Sequence, residues 1–251
     1  MIVTHPGLCL FLFSIQLASL APASLDIRRS NAPVVDDGQA ENQDRAGTIK
    51  PFLVIFGSAN RAWNTENWTE VSDTVRGGQS KAMLKYLDRS DRTAGVSLEG
   101  MLDTKTLGGA GFASQVYRHP ISLPMADRYS AFFLEVEPVE EGHQGLVRTF
   151  TFGARDRPLG SPNESALTYQ FDFQLPALVT VQRDSASTKL DQLVRISIPF
   201  NKLVPTFRGR PKSDEKPFDP HQITQISFMA RSFFNHQSGP FLLNIRRLGL
   251  E

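Results

Sequence analysis

Leu167-Thr168-Tyr169-Gln170-Phe171-Asp172-Phe173-Gln174 puts four apolar side chains on one side of an extended chain and four polar ones on the other. Successive side chains of a strand point to opposite faces, so this unbroken period of two reads as a half-buried β-strand. The same alternation recurs in Ser130–Glu137, Leu146–Phe152, Leu193–Phe200 and Phe241–Leu248. Further strands are expected at Phe52–Phe56, Ala82–Leu87, Gly95–Met101, Leu178–Arg183 and Ile226–Arg231. Turn-rich segments such as Arg155–Asn163 and Asp184–Ser187 separate them. No stretch after residue 50 sustains an apolar stripe at helical spacing. Many short strands with little helix predict an all-β, mainly antiparallel sandwich or barrel of the jelly-roll kind. One domain over residues 51–251 accounts for the whole pattern.

The composition fits such a core: 40% of the 251 residues are apolar and eighteen are phenylalanine. Aromatic side chains suit a pleated, half-buried surface. A formal charge of +1 gives no general attraction to nucleic acid, which would show as a concentrated basic face.

Residues 1–25 stand apart. They contain no Lys, Arg, Asp or Glu, and Leu8–Ala21 is apolar but short for a membrane span. Ala21-Pro22-Ala23 resembles a signal-peptidase site, so this segment reads as a secretory-type leader, although its first residues lack Lys and Arg. Residues 26–50 are polar and read as a disordered linker or pro-segment. Cys9 is the single cysteine and would leave with the leader. Asn67-Trp68-Thr69 and Asn163-Glu164-Ser165 are N-glycosylation sequons, relevant only to a secreted chain.

Glycines concentrate in Val75-Arg76-Gly77-Gly78-Gln79-Ser80 and Leu107-Gly108-Gly109-Ala110-Gly111-Phe112-Ala113-Ser114-Gln115. Neither segment is a phosphate cradle. Gly109–Ser114 ends in serine where a dinucleotide fingerprint needs glycine or alanine, and no βαβ unit surrounds it. No cofactor motif is present. The glycines are expected to make tight turns between strands.

These segments form an ordered series with Trp68, Gly100-Met101-Leu102-Asp103-Thr104, Ile198-Pro199-Phe200, Val204-Pro205-Thr206-Phe207-Arg208-Gly209-Arg210, Ile226–Phe234 and Gln237–Ile245. The series resembles the complex I intermediate-associated protein 30 family, and its fungal members most. The resemblance implies a galactose-binding-like jelly-roll sandwich. It also implies a mitochondrial assembly factor that holds membrane-arm intermediates of respiratory complex I and is not an enzyme. This chain departs from the family at Glu137–His143, where a turn of the Asp-Gly-Arg/Lys-Tyr kind is usual, and in its secretory-type leader.

The residues offer little for catalysis. His119, His143, His221 and His236 have no metal-ligand spacing, and no nucleophile elbow surrounds Ser114. Glu135 and Glu137 share a strand face about 7 Å apart, within the range of an inverting glycosidase pair; they are read as solvent-facing. Arg76, Arg208, Arg210 and Arg231 either clamp loops, to backbone carbonyls or to Asp73 and Asp103, or rim a face for an acidic partner or glycan. Phe112, Phe207, Phe233 and Phe234 divide in the same way, and Phe233 and Phe234 cannot face one way in a strand. The binding candidates are Arg76, Gln115, Arg208, Arg210, Arg231 and Phe234. The function expected is a non-catalytic, protein-binding, chaperone-like module of complex I assembly. The alternative is a carbohydrate- or ligand-binding jelly roll of the secretory pathway, for which Trp63, Trp68 and four tyrosines supply few stacking platforms.

Overall fold

The computed structural model describes residues 39–43, 49–123, 125–138, 146–157, 166–176 and 193–251. Its strands, in chain order, are β1 (Gln39–Gln43), β2 (Ile49–Phe56), β3 (Trp68–Ser72), β4 (Lys81–Tyr86), β5 (Val96–Leu102), β6 (Phe112–Tyr117), β7 (Ile121–Ser122) and β8 (Ala131–Val136). They continue with β9 (Thr149–Arg155), β10 (Thr168–Gln174), β11 (Val194–Pro199), β12 (Val204–Phe207), β13 (Arg210–Pro211), β14 (Gln222–Ile223), β15 (Gln225–Arg231) and β16 (Gly239–Leu250). Helix is confined to single 3-10 turns such as Thr65–Asn67 and Asp73–Arg76.

Two seven-stranded sheets face each other. In the first, the order β1-β2-β16-β5-β4 is extended by β8, which pairs with β16 and β11. The second runs β13-β12-β10-β9-β15-β6-β3. All of these strand pairs are antiparallel, and the architecture is a jelly-roll β-sandwich. A two-stranded ribbon of β7 and β14 lies beside them.

Strand β10 shows why the sheets stack. Tyr169 and Phe173 are buried, while Asp172 between them is exposed. Across the ladder, Phe171 faces Phe152 and Phe173 faces Phe150. Phe152 then packs on Phe132 of the opposing sheet with ring centroids 4.9 Å apart. Toward β3, Trp68 stacks on Phe228 at 5.4 Å and Trp63 on Phe56 at 5.1 Å. A single apolar cluster thus draws on both sheets, and aromatic pairs of this geometry add to the energy of burial itself.

The observed elements differ from the expected ones in definite places. β3 and β6 were not expected. The inward side of β6 carries Ala113, Gln115 and Tyr117, too polar to read as a core face. β1 lies inside residues 26–50, the segment read as linker; Gln39–Gln43 contains no large apolar side chain and is held by backbone pairing with β2. The expected strand Leu178–Arg183, residues 1–25, Asn163 and most of Glu137–His143 lie outside the described residues. Among the described residues, no helix is long and apolar enough to cross a membrane.

Glu135 corrects the sequence reading. It was expected to face solvent, yet it is fully buried. It accepts a 2.6 Å hydrogen bond from Arg195 and lies 3.4 Å from Arg247. β8 is an interior strand, flanked by β16 and β11, and Arg195 on β11 lies over the Phe133 ring at 4.2 Å and Phe52 at 5.3 Å. The acid is therefore enclosed by the cation it neutralises. Glu137 is half-buried and accepts hydrogen bonds from Asn244 at 2.7 Å and Arg246 Nε at 2.8 Å. Both carboxylates are engaged in structural pairs.

Candidate interaction surface

The two glycine segments meet at one end of the sandwich, around the buried carboxylate of Asp73. Asp73 opens the 3-10 turn Asp73–Arg76, which Gly77 closes in the left-handed conformation at φ 83°. Its Oδ1 accepts the Ser80 N–H at 3.0 Å, and its Oδ2 accepts the Ser80 hydroxyl at 2.6 Å and the Phe112 N–H at 3.1 Å. The Ser80 oxygen in turn accepts the Asp103 N–H at 3.0 Å. Gly78 and Gly111 are required by proximity: a Cβ at Gly78 would fall 2.3 Å from Asp73 Oδ1, and one at Gly111 2.1 Å from the Asp103 carbonyl. The expected clamp of Asp73 by arginine is replaced by these backbone and hydroxyl donors. Asp103 receives the N–H groups of Lys105 and Thr106, and its hydrogen bonding to Thr106 holds its pKa below the ordinary carboxylate value.

A third loop completes this end. The Ser232 N–H donates to the Gly111 carbonyl at 2.9 Å, and a Cβ on Gly109 would lie 3.4 Å from Asn235. Phe233, Phe234 and Asn235 all adopt left-handed backbone, with φ of 47°, 55° and 70°. Three consecutive non-glycine residues in that region store strain. The His236 and Gln237 N–H groups, both donating to the Ser232 carbonyl, close the turn. Gln237 anchors it to β9, accepting the Thr149 N–H at 3.1 Å and donating to its carbonyl at 2.7 Å.

This geometry separates the predicted residues. Arg231 is a clamp: its guanidinium pairs with Asp172 and lies 4.4 Å from the Phe233 ring centroid. Gln115 is also structural. It is buried, and its Nε2 donates to the Ala82 carbonyl at 2.8 Å, while Glu70 beside it accepts the Ala82 N–H at 3.1 Å. β4 ends its sheet, so these side chains satisfy backbone groups on its open edge. Arg76 and Phe234 point the other way. Arg76 is exposed, and Phe234 is 85% exposed.

Arg208 and Arg210 lie elsewhere. They belong to the β12–β13 hairpin, whose turn uses Arg208 at φ 51° and Gly209 at φ 76°, as a two-residue hairpin with positive φ at both positions requires. The register sets this hairpin beyond Thr168, about 20 Å along the sheet from Arg231. Arg208 lies over the Phe207 ring at 5.4 Å. The six candidates therefore do not form one site. Asn67 is half-buried at the end of the 3-10 turn Thr65–Asn67, just before β3.

Sequence reading missed the apolar surface around Arg76 and Phe234. Val75 is 77% exposed on the Asp73 turn. On the adjoining outer face of the first sheet, Met83, Met101 and Leu242 are exposed on neighbouring strands. Met83 and Leu242 both flank Glu99, and Met101 faces Lys81 and Pro240. A depression of about 420 Å³ opens beside Met83 and Leu242, over Gly100, where a side chain would meet the Lys81 carbonyl. The signal was present as Met83 and Met101 at outward positions of alternating strands. Among the described residues no His, Cys, Asp and Glu group of three could hold a metal.

The chain is similar to several known proteins. The family model described as complex I intermediate-associated protein 30 matches residues 55–245. An uncharacterized protein of Schizosaccharomyces pombe is 35% identical over 205 residues, 76% of this chain and 80% of that protein. Among solved structures, the family 11 carbohydrate-binding module from Clostridium thermocellum, in complex with a β-1,3-1,4-mixed-linked tetrasaccharide, is 17% identical with a TM-score of 0.47. That match covers 74% of this chain and 89% of the module. The family 11 module of the cellulosomal cellulase Lic26A-Cel5E has a TM-score of 0.43 at 18% identity, covering 73% and 86%.

Proposed function

Since this chain belongs to the complex I intermediate-associated protein 30 family, we propose that it is a non-catalytic, chaperone-like module that binds assembly intermediates of mitochondrial complex I. The observation that carries this reading is the family match over nearly the whole sandwich. The face formed by Met83, Met101 and Leu242 fits the role. Methionine is flexible and polarisable, so a methionine-rich surface adapts to differing apolar partners, and Glu99 paired with Lys85 leaves this face without an unpaired acid at its centre. The glycan-reading alternative lacks its usual platform, because Trp63 and Trp68 are both buried in the core.

The test is fractionation of the native host expressing the tagged chain, with endoglycosidase treatment and identification of the co-purifying proteins. Complex I subunits should be recovered from the mitochondrial fraction, and the pair Met83→Asp and Leu242→Asp should cut that recovery about tenfold, the cost of placing charge in a desolvated apolar contact. A glycosidase-sensitive band shift with no complex I subunits recovered would overturn the reading.

A further inference from the structure

The loop end carries a second surface with a different shape. Val75 and Phe234 are the two most exposed large apolar side chains among the described residues, at 77% and 85%. Each projects from a loop and not from the sheet face. Neither loop is loose: the Asp73 carboxylate binds the first to Phe112, and the Gly111 carbonyl binds the second through Ser232. The strained backbone at Phe233–Asn235 fixes one spike outward while Phe233 turns back under Arg231. An exposed phenylalanine costs solvation, and strained backbone costs conformational energy, so a sequence that keeps both holds an apolar group ready for a medium other than water.

The exposed charged side chains of these loops are cations. Arg76 is exposed on the Asp73 turn and Lys105 on the turn after β5. The acids here are engaged: Asp73 is buried with three donors, Asp103 caps its own turn, and Asp172 is held by Arg231 and Thr151. Separate apolar spikes beside exposed cations do not form the packed central patch of a protein hot spot. They suit an interface in which acyl chains admit the apolar tips and anionic headgroups meet the cations.

We propose that this end of the sandwich, through Val75, Phe234, Arg76 and Lys105, binds reversibly to an anionic lipid surface. The Met83–Leu242 face remains free for a protein partner when the loops are seated. The proposal is independent of which protein that partner is.

The test is co-sedimentation of the full chain with vesicles of phosphatidylcholine alone, or with about a third of the lipid replaced by phosphatidylserine. Binding should appear on the anionic vesicles and weaken as salt rises. Phe234→Ala and Val75→Ala should each lower the partition coefficient about tenfold, and Arg76→Glu with Lys105→Glu should abolish the preference for anionic lipid. Every variant carries the same amino-terminal segment, so its contribution cancels. Phe234→Gly serves as the folding control, because glycine accepts the left-handed backbone. It should match the wild-type melting temperature or exceed it and still lose binding, whereas Met83→Asp should leave vesicle binding unchanged. Equal binding to neutral and anionic vesicles would overturn the proposal. So would unchanged binding by the spike variants, or their loss of complex I subunits with vesicle binding intact.

Discussion

Asp73 shows how much one side chain can organise. It is buried, and three donors from two separate loops converge on its two oxygens. Asparagine is nearly the same size but turns one acceptor into a donor, which would face the N–H and hydroxyl groups already aimed there. Asp73→Asn is therefore expected to cost about 2–3 kcal/mol in urea unfolding, the scale of charge-assisted hydrogen bonds lost together with donors left unpaired. A loss under about 0.5 kcal/mol would mean that the loops are held by something else. Part of this was legible in the sequence: the glycines announced tight loops. The reason for glycine at 78 and 111 was not, because it lies in contacts to Asp73 and Asp103 across separate segments. Arg231 was similarly ambiguous, since its role is decided by Asp172, which reads in its own strand as an ordinary exposed polar residue.

At the level of elements, period two served well wherever the inward side chains were large. β10, β8 and β11 fell within a residue or two of their expected limits. It failed for β6, where Gln115 faces inward to satisfy the edge of β4, a requirement set by the other sheet. It failed too for the short β7–β14 ribbon, which pairs only two residues from each strand. That ribbon is reinforced by charge. His221 places Nδ1 2.9 Å from Asp219 and Nε2 3.2 Å from Asp127, bridging the chain before β14 to the 3-10 turn Ala126–Arg128 before β8. The hydrogen bond to Asp219, then that to Asp127, raises the His221 pKa above the ordinary histidine value, and the His221 N–H and ring lower that of Asp219. A raised histidine pKa gives stability that is complete below the unfolded value and is lost as pH rises through the folded one. A lowered aspartate pKa gives stability that is present above the unfolded value and lost as pH falls through the folded one. The bridge is thus strongest in mildly acidic solution, between the two. An NMR titration of the His221 ring should give a pKa above that of a free histidine, and Asp127→Asn should lower it. A ring that titrates like a model peptide in the wild-type chain would show that the bridge does not persist in solution.

The whole molecule is closed by its last strand. β16 pairs with β5 over Gly239–Ile245, with β8 over Ile245–Leu250 and with β2 at Leu248–Leu250, so three elements from the first half of the domain lean on its final residues. Its inward side chains Phe241, Leu243, Ile245, Leu248 and Leu250 are almost fully buried. Even the terminal residue takes part, because the Glu251 carbonyl accepts the Ser130 and Ala131 N–H groups, and its carboxylate lies 3.5 Å from Arg195 in the buried pair with Glu135. Without β16, the edges of β2, β5 and β8 would open together, and the core would lose one wall at the centre of a sheet instead of at its margin. Each large side chain removed from such a site costs a few kcal/mol, and five together exceed the whole stability of an ordinary domain. Removal of residues 239–251 should accordingly abolish the cooperative thermal transition and the near-ultraviolet signal of the packed tryptophans. Folding of the intact chain should be slow, on the millisecond-to-second scale of sandwiches whose pairings are distant in sequence. A truncated chain that still unfolds cooperatively would place the folding core in the second sheet alone, where β9, β15 and β6 pair without any contribution from β16.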